Sequence, residues 1–279
     1  MLKFEQKYLA VKNFLLIATL AIGFSACQLQ QKEETPDTAA QTLSNQLGNA
    51  VLWFQQSAEM QASFLQAYKL GEVLLKSKLD TINSDKKLAI ILDLDETVLD
   101  NSPYEARLIR TGANYQSESW EIWCEEASAN ALPGALAFLN FAHKNGIEIF
   151  YISNRKENVF QATLRNLQKI AAPQADSTHL MLRTSTSDKT DRRNMVKAEH
   201  HVLLYIGDNL TDYNQAYAER KEDLGKLLVG KNQEELFNNF IMLPNPMYGE
   251  WEGALYGNDF SIADSLKLIK RSNILYTAE

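Results

Sequence analysis

The chain is poor in cysteine and in positive charge, and each shortage removes a class of protein. Two cysteines in 279 residues, Cys27 and Cys124, cannot make a disulfide framework, so stability has to come from a packed core. Lys and Arg number 28 against 35 Asp and Glu, a formal net charge of −7, and the basic residues are scattered. Without a basic footprint, duplex nucleic acid is not a partner this chain is built to grip. The four histidines form no His-Glu-x-x-His pattern and stand in no Arg-His-Gly context, which removes two hydrolytic chemistries. A cysteine-nucleophile phosphate loop needs an Arg six residues after Cys124, and Asn130 stands there instead. Residues 225–232 come near a P-loop, but Asn232 occupies the place of the Ser or Thr that binds magnesium.

What is present is enough for one good-sized core: 45% hydrophobic and 23% charged residues. The N-terminus is set apart from it. Lys3, Lys7 and Lys12 precede an apolar run from Phe14 to Phe24 that is too short for a stable membrane span. Ser25 and Ala26 are small residues directly before Cys27, a pattern that resembles a bacterial lipobox, with Phe24 departing from the more usual Leu. The expectation is a signal peptide over residues 1–26, lipidation of Cys27, and a flexible tether over 27–42. That resemblance implies a protein anchored by lipid in the bacterial cell envelope, at the outer membrane, with Cys124 left as the one free thiol.

The chain is organised around residues 88–100, where Leu88-Ala89-Ile90-Ile91-Leu92 ends abruptly in Asp93-Leu94-Asp95-Glu96-Thr97. An apolar run without helical period reads as a strand buried on both faces of a parallel sheet. With a side-chain period of two, Asp93 and Asp95 are expected to leave its end on the same side. Two carboxylates there need a divalent cation, a shared proton, or both. That is the requirement of a phosphoryl-transfer site in which Asp93 attacks phosphorus and Asp95 handles protons.

Before that strand, Leu47, Val51 and Phe54, and then Phe64, Leu65, Tyr68, Val73 and Leu74, recur at helical spacing and predict an α-helical N-terminal extension, with Ser57 capping its second helix. After it, Pro103–Gly112 and Ser117–Ala127 read as helices in an insertion over about 101–132, a cap above the strand end. Pro133-Gly134 opens a further helix. Strands follow at Ile147–Ile152, closed by Ser153-Asn154-Arg155, and at Leu180–Leu182, Val202–Ile206 and Phe240–Leu243, with a last helix over Asp259–Leu275. This alternation predicts an α/β domain over residues 43–279, a doubly wound parallel sheet with its site at the carboxyl ends of the strands. Ser153 and Lys189 are placed there to hold phosphoryl oxygens. Asp208 is expected to complete a Mg²⁺ site with the Asp93 carboxylate and the Asp95 backbone carbonyl, with Asp212 and Asn209 behind them.

Asp93–Tyr104 resembles the first motif of the haloacid dehalogenase superfamily. Together with Trp53, Leu132-Pro133-Gly134, Ile152–Arg155, Gly207-Asp208-Asn209 and Tyr248-Gly249-x-Trp251, it resembles more narrowly the class C acid phosphatases, bacterial lipoproteins that act on nucleoside monophosphates. The resemblance implies a Mg²⁺-dependent phosphatase of 5′-nucleotides working through an aspartyl phosphate. It also implies substrate contacts at Asn154 and Arg155 and a nucleoside clamp of aromatic rings, carried over to Trp120 and Tyr248, with Trp123 third. A broader sugar-phosphate phosphatase and a surface binding lipoprotein on the same fold stay as alternatives, and a homodimer stays open.

Overall fold

A computed structural model describes residues 38–278. The expected leader, Cys27 and most of the tether therefore lie outside the described residues. Two helices come first, α1 (Ala39–Gln56) and α2 (Ala58–Thr81). They meet at Ser57, whose Oγ accepts the Met60 N–H at 3.0 Å, the N-cap its sequence predicts. α1 starts inside the stretch read as tether. Ala39 and Ala40 favour helix, and Leu43 and Ser44 are buried, the Ser44 hydroxyl donating to the Leu108 carbonyl at 3.1 Å. On α2 the buried line is Phe64, Tyr68, Gly71 and Leu75, spaced four, three and four apart as one face of a helix requires. Leu65 and Val73, expected on that stripe, are 46% and 52% exposed because they fall to its sides.

The five-stranded sheet is parallel throughout. β1 (Lys87–Leu92) is its centre; β2 (Leu99–Asp100) belongs to a separate small ladder. The cap follows as α3 (Ser102–Thr111) and α4 (Ser117–Glu126), and the chain returns through β3 (Asn130–Ala131), which pairs antiparallel with β2. That ladder closes the insertion at its base, so the cap rises from the end of β1 on two fixed stems. Then come α5 (Ala135–Lys144), β4 (Glu148–Lys156), a 3₁₀ turn and α6 (Phe160–Lys169), β5 (Leu180–Arg183), α7 (Thr190–Glu199) and β6 (His200–Gly207). The short helix α8 (Leu210–Tyr213), α9 (Lys226–Lys231) and α10 (Gln233–Asn239) lead to β7 (Phe240–Met242), α11 (Glu250–Leu255) and α12 (Asp264–Asn273). The near-P-loop residues thus form the half-exposed α9 rather than a phosphate cradle.

Strand order is β5-β4-β1-β6-β7, so the direction of winding reverses at β1. Crevices outside the strand ends at such a reversal are where open α/β sheets bind ligands. The period of two divides the strands between two cores. Ile90, Leu92, Ile149, Tyr151, Leu204 and Ile206 face one, together with α1, α2, α5 and the cap; Ala89, Ile91, Phe150, Ile152 and Tyr205 face the other. Among the described residues no helix is long and apolar enough to cross a membrane.

Candidate active site

β1 hands its ladder on for one residue, the Asp93 N–H donating to the Ile206 carbonyl at 3.0 Å, and the chain then turns sharply. The Leu94 carbonyl accepts from both Val98 and Leu99 at 2.8 Å, and Glu96 sits in the left-handed region at φ 56°. The turn places Asp93 beside Asp208, which follows β6, and Asp212 on α8; oxygens of all three buried carboxylates lie within 4.8 Å of one another. Lys189 Nζ is bonded to Asp93 Oδ1 and reaches Asp212 Oδ1 at 2.7 Å. One ammonium among three carboxylates leaves an excess of negative charge. Burial, opposed by Lys189 and reinforced by Asp212 and Asp95, pushes the Asp93 carboxyl up to about 7. Burial and then Asp212 and Asp93 hold Asp208 well above the usual carboxylate range. Lost hydration pulls Lys189 down, but Asp212 and Asp93 outweigh that and keep it above the ordinary lysine value.

This pocket fits a divalent cation, because hard oxygen donors converge with uncompensated charge. Its walls are already braced. Asp208 Oδ2 accepts from Asn209 Nδ2 and Asn245 Nδ2, both at 2.9 Å, which leaves the other oxygen for a ligand. Asn209 and Asp212 form a reciprocal cap on α8, the Asn209 N–H donating to Asp212 Oδ2 at 3.0 Å. Asp212 folds back so closely that a Cβ on Gly207 would lie 2.2 Å from its Oδ2, so only glycine fits there.

Asp95 keeps other company. Its Oδ1 accepts Asn101 Nδ2 and Arg155 Nε, both at 2.9 Å, with Arg155 Nη2 in ion-pair contact at 2.8 Å; its Oδ2 accepts the Ser153 hydroxyl at 3.1 Å. Two placements differ from expectation here. β4 runs on to Lys156, so Ser153 and Arg155 share a face of a strand and do not project from a loop. Ser153 is fully buried with its hydroxyl given to Asp95, and the Arg155 side chain, 1% exposed, lies under Asp95 instead of reaching for substrate. Asn154 points the other way, its Oδ1 accepting Arg192 Nη2 at 2.7 Å, while Arg192 Nη1 donates to the Ser153 carbonyl at 2.6 Å.

The aromatic candidates divide. Trp120 is half-buried in the cap, 5.1 Å from Tyr104 and 6.4 Å from the 56% exposed ring of Tyr115. Tyr248 is half-buried against the main core, its hydroxyl enclosed without a partner among the described residues. Trp123 is 4% exposed and donates Nε1–H to Asn101 Oδ1 at 2.8 Å, so it is a cap-core residue and no base-reading ring. Sequence reasoning gave no role to Asn101, Arg192 or Asn245. Asn101 lay inside the quoted first motif, and Asn245 between two prolines on the loop that carries Tyr248.

Residues 13–251 match the profile of the HAD superfamily, subfamily IIIB, acid phosphatase. The chain belongs to that family. Over 84% of its length it superposes on 98% of the class C acid phosphatase from Bacillus anthracis, with 40% identity and a TM-score of 0.81, and that relative has also been solved with tungstate bound. Acid phosphatase 1 of Solanum lycopersicum is 28% identical over 175 residues, 60% of this chain and 61% of that one. Vegetative storage protein 1 of Arabidopsis thaliana is 28% identical over 182 residues, 62% of this chain and 58% of that one. The chain thus spans about three fifths of the length of these two curated relatives. The family chemistry is phosphomonoester hydrolysis, and the α/β fold with its parallel sheet is the family fold.

Proposed function

We propose that this acid-phosphatase homologue hydrolyses small phosphomonoesters with Asp93 as nucleophile and Asp95 as general acid and base, assisted by Mg²⁺. The observation that carries the reading is the separation of the two carboxylates into opposite electrostatic settings at one strand end. An Asp93 oxygen attacks phosphorus; the bond from phosphorus to the ester oxygen breaks, and that oxygen takes its electron pair and the proton of Asp95. Water then attacks the aspartyl phosphate, Asp95 takes a proton from it, and the acyl-phosphate bond breaks to return Asp93 and release phosphate. Lys189, bonded to Asp93, holds its oxygen in place and balances charge on the phosphoryl group. Asp93, Asp208 and the Asp95 backbone carbonyl would hold Mg²⁺, which supplies screening between nucleophile and phosphate and stabilises transition-state charge. Tungstate is an oxyanion like phosphate, so its binding to the Bacillus anthracis relative is in keeping with this chemistry.

The substrate we propose is a nucleoside 5′-monophosphate, its base meeting Trp120 and Tyr248 and its phosphate at Asp93. A partly exposed aromatic surface stacks bases without identifying them. The protein is anchored through Cys27 in this reading; Cys27→Ser should abolish fatty-acid labelling and leave activity intact. The deciding experiment is phosphate release from mononucleotides, sugar phosphates and an aryl phosphate, with EDTA and then with added Mg²⁺. Release from AMP that EDTA stops and Mg²⁺ restores is expected. Equal rates on sugar phosphates would make the enzyme a broad phosphatase, and no release from any ester would leave a binding protein.

A further inference from the structure

Asp95 is held by a network that reaches from β4 into the cap, and its Trp and Arg donors have one possible role. Trp Nε1 and Arg nitrogens only donate. Asn101 receives two of them on Oδ1, from Trp123 Nε1 at 2.8 Å and from Arg155 Nη2 at 3.2 Å. Its Oδ1 therefore must face them, which turns Nδ2 toward Asp95 Oδ1 at 2.9 Å and Glu96 Oε2 at 3.3 Å. Glu96 fixes the same residue from its backbone side, Oε1 accepting the Asn101 N–H at 2.8 Å. Arg155 is fixed in turn by Thr163, whose Oγ1 accepts Nη1 at 3.3 Å, and by the ring of Trp120, 5.6 Å from the guanidinium carbon.

The outcome at Asp95 is an asymmetric carboxyl. Oδ1 takes two N–H donors, from Asn101 Nδ2 and Arg155 Nε, one for each of its lone pairs, with Arg155 Nη2 in ion-pair contact at 2.8 Å, so there is no room for a proton on it. Among the described residues Oδ2 has the Ser153 hydroxyl as its one partner, and that hydroxyl can donate or accept. Two of the residues that impose this, Trp123 and Asn101, are in or at the foot of the cap, 22 positions apart, while Arg155 is in the sheet.

We propose that Arg155, Asn101 and Trp123 are positioning residues that fix the Asp95 carboxyl so that Oδ2 alone carries and delivers the proton, the cap thereby orienting the catalytic acid of the sheet. This rests on Asp95 being the general acid. It assigns α4 a task other than substrate contact. The Trp123 N–H orients Asn101, Asn101 and Arg155 orient Asp95, and the leaving oxygen receives the proton as its bond to phosphorus breaks.

The test separates leaving groups. Protonation matters for an alkoxide and little for p-nitrophenolate, so misplacing the acid should hurt an alkyl phosphate selectively. Trp123→Phe keeps the ring and deletes one N–H; Arg155→Lys keeps the charge and deletes the two-nitrogen grip. Each is compared with Asp95→Asn on glycerol phosphate and p-nitrophenyl phosphate, with Tm recorded. Trp123→Phe should lower kcat/KM on glycerol phosphate about 5- to 10-fold and on p-nitrophenyl phosphate less than about 2-fold; kcat/KM reports formation of the aspartyl phosphate, whereas kcat on both esters also carries its shared hydrolysis, in which Asp95 is the base. Arg155→Lys should show the same bias, larger, on the order of 10²-fold against less than 10-fold. If Asp95→Asn shows the bias in kcat/KM and neither positioning variant does, or if they lower kcat/KM equally on the two esters, the positioning assignment is wrong while the general acid stands. If Asp95→Asn itself loses kcat/KM equally on both esters, the general-acid reading fails and takes the assignment with it. Should Trp123→Phe not fold, the Arg155→Lys bias alone decides.

Discussion

Asp93 and Asp95 stand two residues apart, yet Asp93 sits among carboxylates that share one lysine, while Asp95 sits against a guanidinium and an amide. One pocket has surplus negative charge and invites a cation; the other is compensated by the protein itself. The same residue type thus takes two roles because its neighbours differ, which is how a fold separates a nucleophile from an acid. Geometry follows the same division. The Asp93 pocket is drawn from β1, β6 and α8 of the sheet layer, and the Asp95 pocket from β4 and the cap.

The comparison breaks hardest at Asp93. Asp93→Asn removes the attacking oxygen, and steady-state phosphate release should fall by more than about 10⁴-fold, with deamidation excluded by mass. Next is Asp95→Asn, expected to lose about 10²–10⁴-fold in kcat on alkyl esters. It also leaves the Arg155 charge buried without its counter-ion, a cost on the order of 3 kcal/mol that urea unfolding should register. Asp93→Asn should carry no such cost, since it relieves a pocket with too much negative charge.

A cation sharpens the contrast. With its folded pKa raised to about 7 from an ordinary 3.8, Asp93 favours the fold fully when protonated; that contribution is present below the unfolded value and is lost as pH rises through the folded one. Cation-free protein should therefore lose Tm between about pH 4 and pH 7. Mg²⁺ should raise Tm by several degrees at about pH 8 and by little at about pH 5, where Asp93 holds a proton. Thermal scans in EDTA and in Mg²⁺ at the two pH values check the sign.

How far the sequence reached follows the same line. The Asp93 pocket was legible because its members fall at strand ends or at the start of the helices that follow them, and a buried apolar run announces where a strand ends. Asp93, Lys189, Asp208 and Asp212 needed only correct topology to be brought together. The Asp95 pocket was not legible, because its assembly depends on β4 continuing four residues past Ile152. With that extension, period two turns Ser153 and Arg155 inward together and Asn154 toward Arg192; without it, all three read as a loop facing substrate. Trp123 was misread for a related reason. An aromatic in a cap looks like a substrate contact until the helix face it occupies is known.

The smallest effects are expected at the proposed base contacts. Trp120→Ala or Tyr248→Ala should raise KM for AMP by roughly 5- to 100-fold, the worth of one stacked base, and leave KM for glycerol phosphate nearly unchanged; only Trp120→Ala, which also frees Arg155, should slow glycerol phosphate as well. Tyr248→Phe should alter neither by more than about 2-fold, since its hydroxyl has no partner to lose.

The division of labour between the two carboxylates is tested most directly by trapping the enzyme during turnover of ³²P-labelled AMP and mapping the label by peptide mass. The account predicts label on Asp93 that accumulates in Asp95→Asn, is brief in the wild type, and is absent from Asp93→Asn. Turnover by the wild type with label on no carboxylate of the 87–100 peptide, or label that persists in Asp93→Asn, would contradict it.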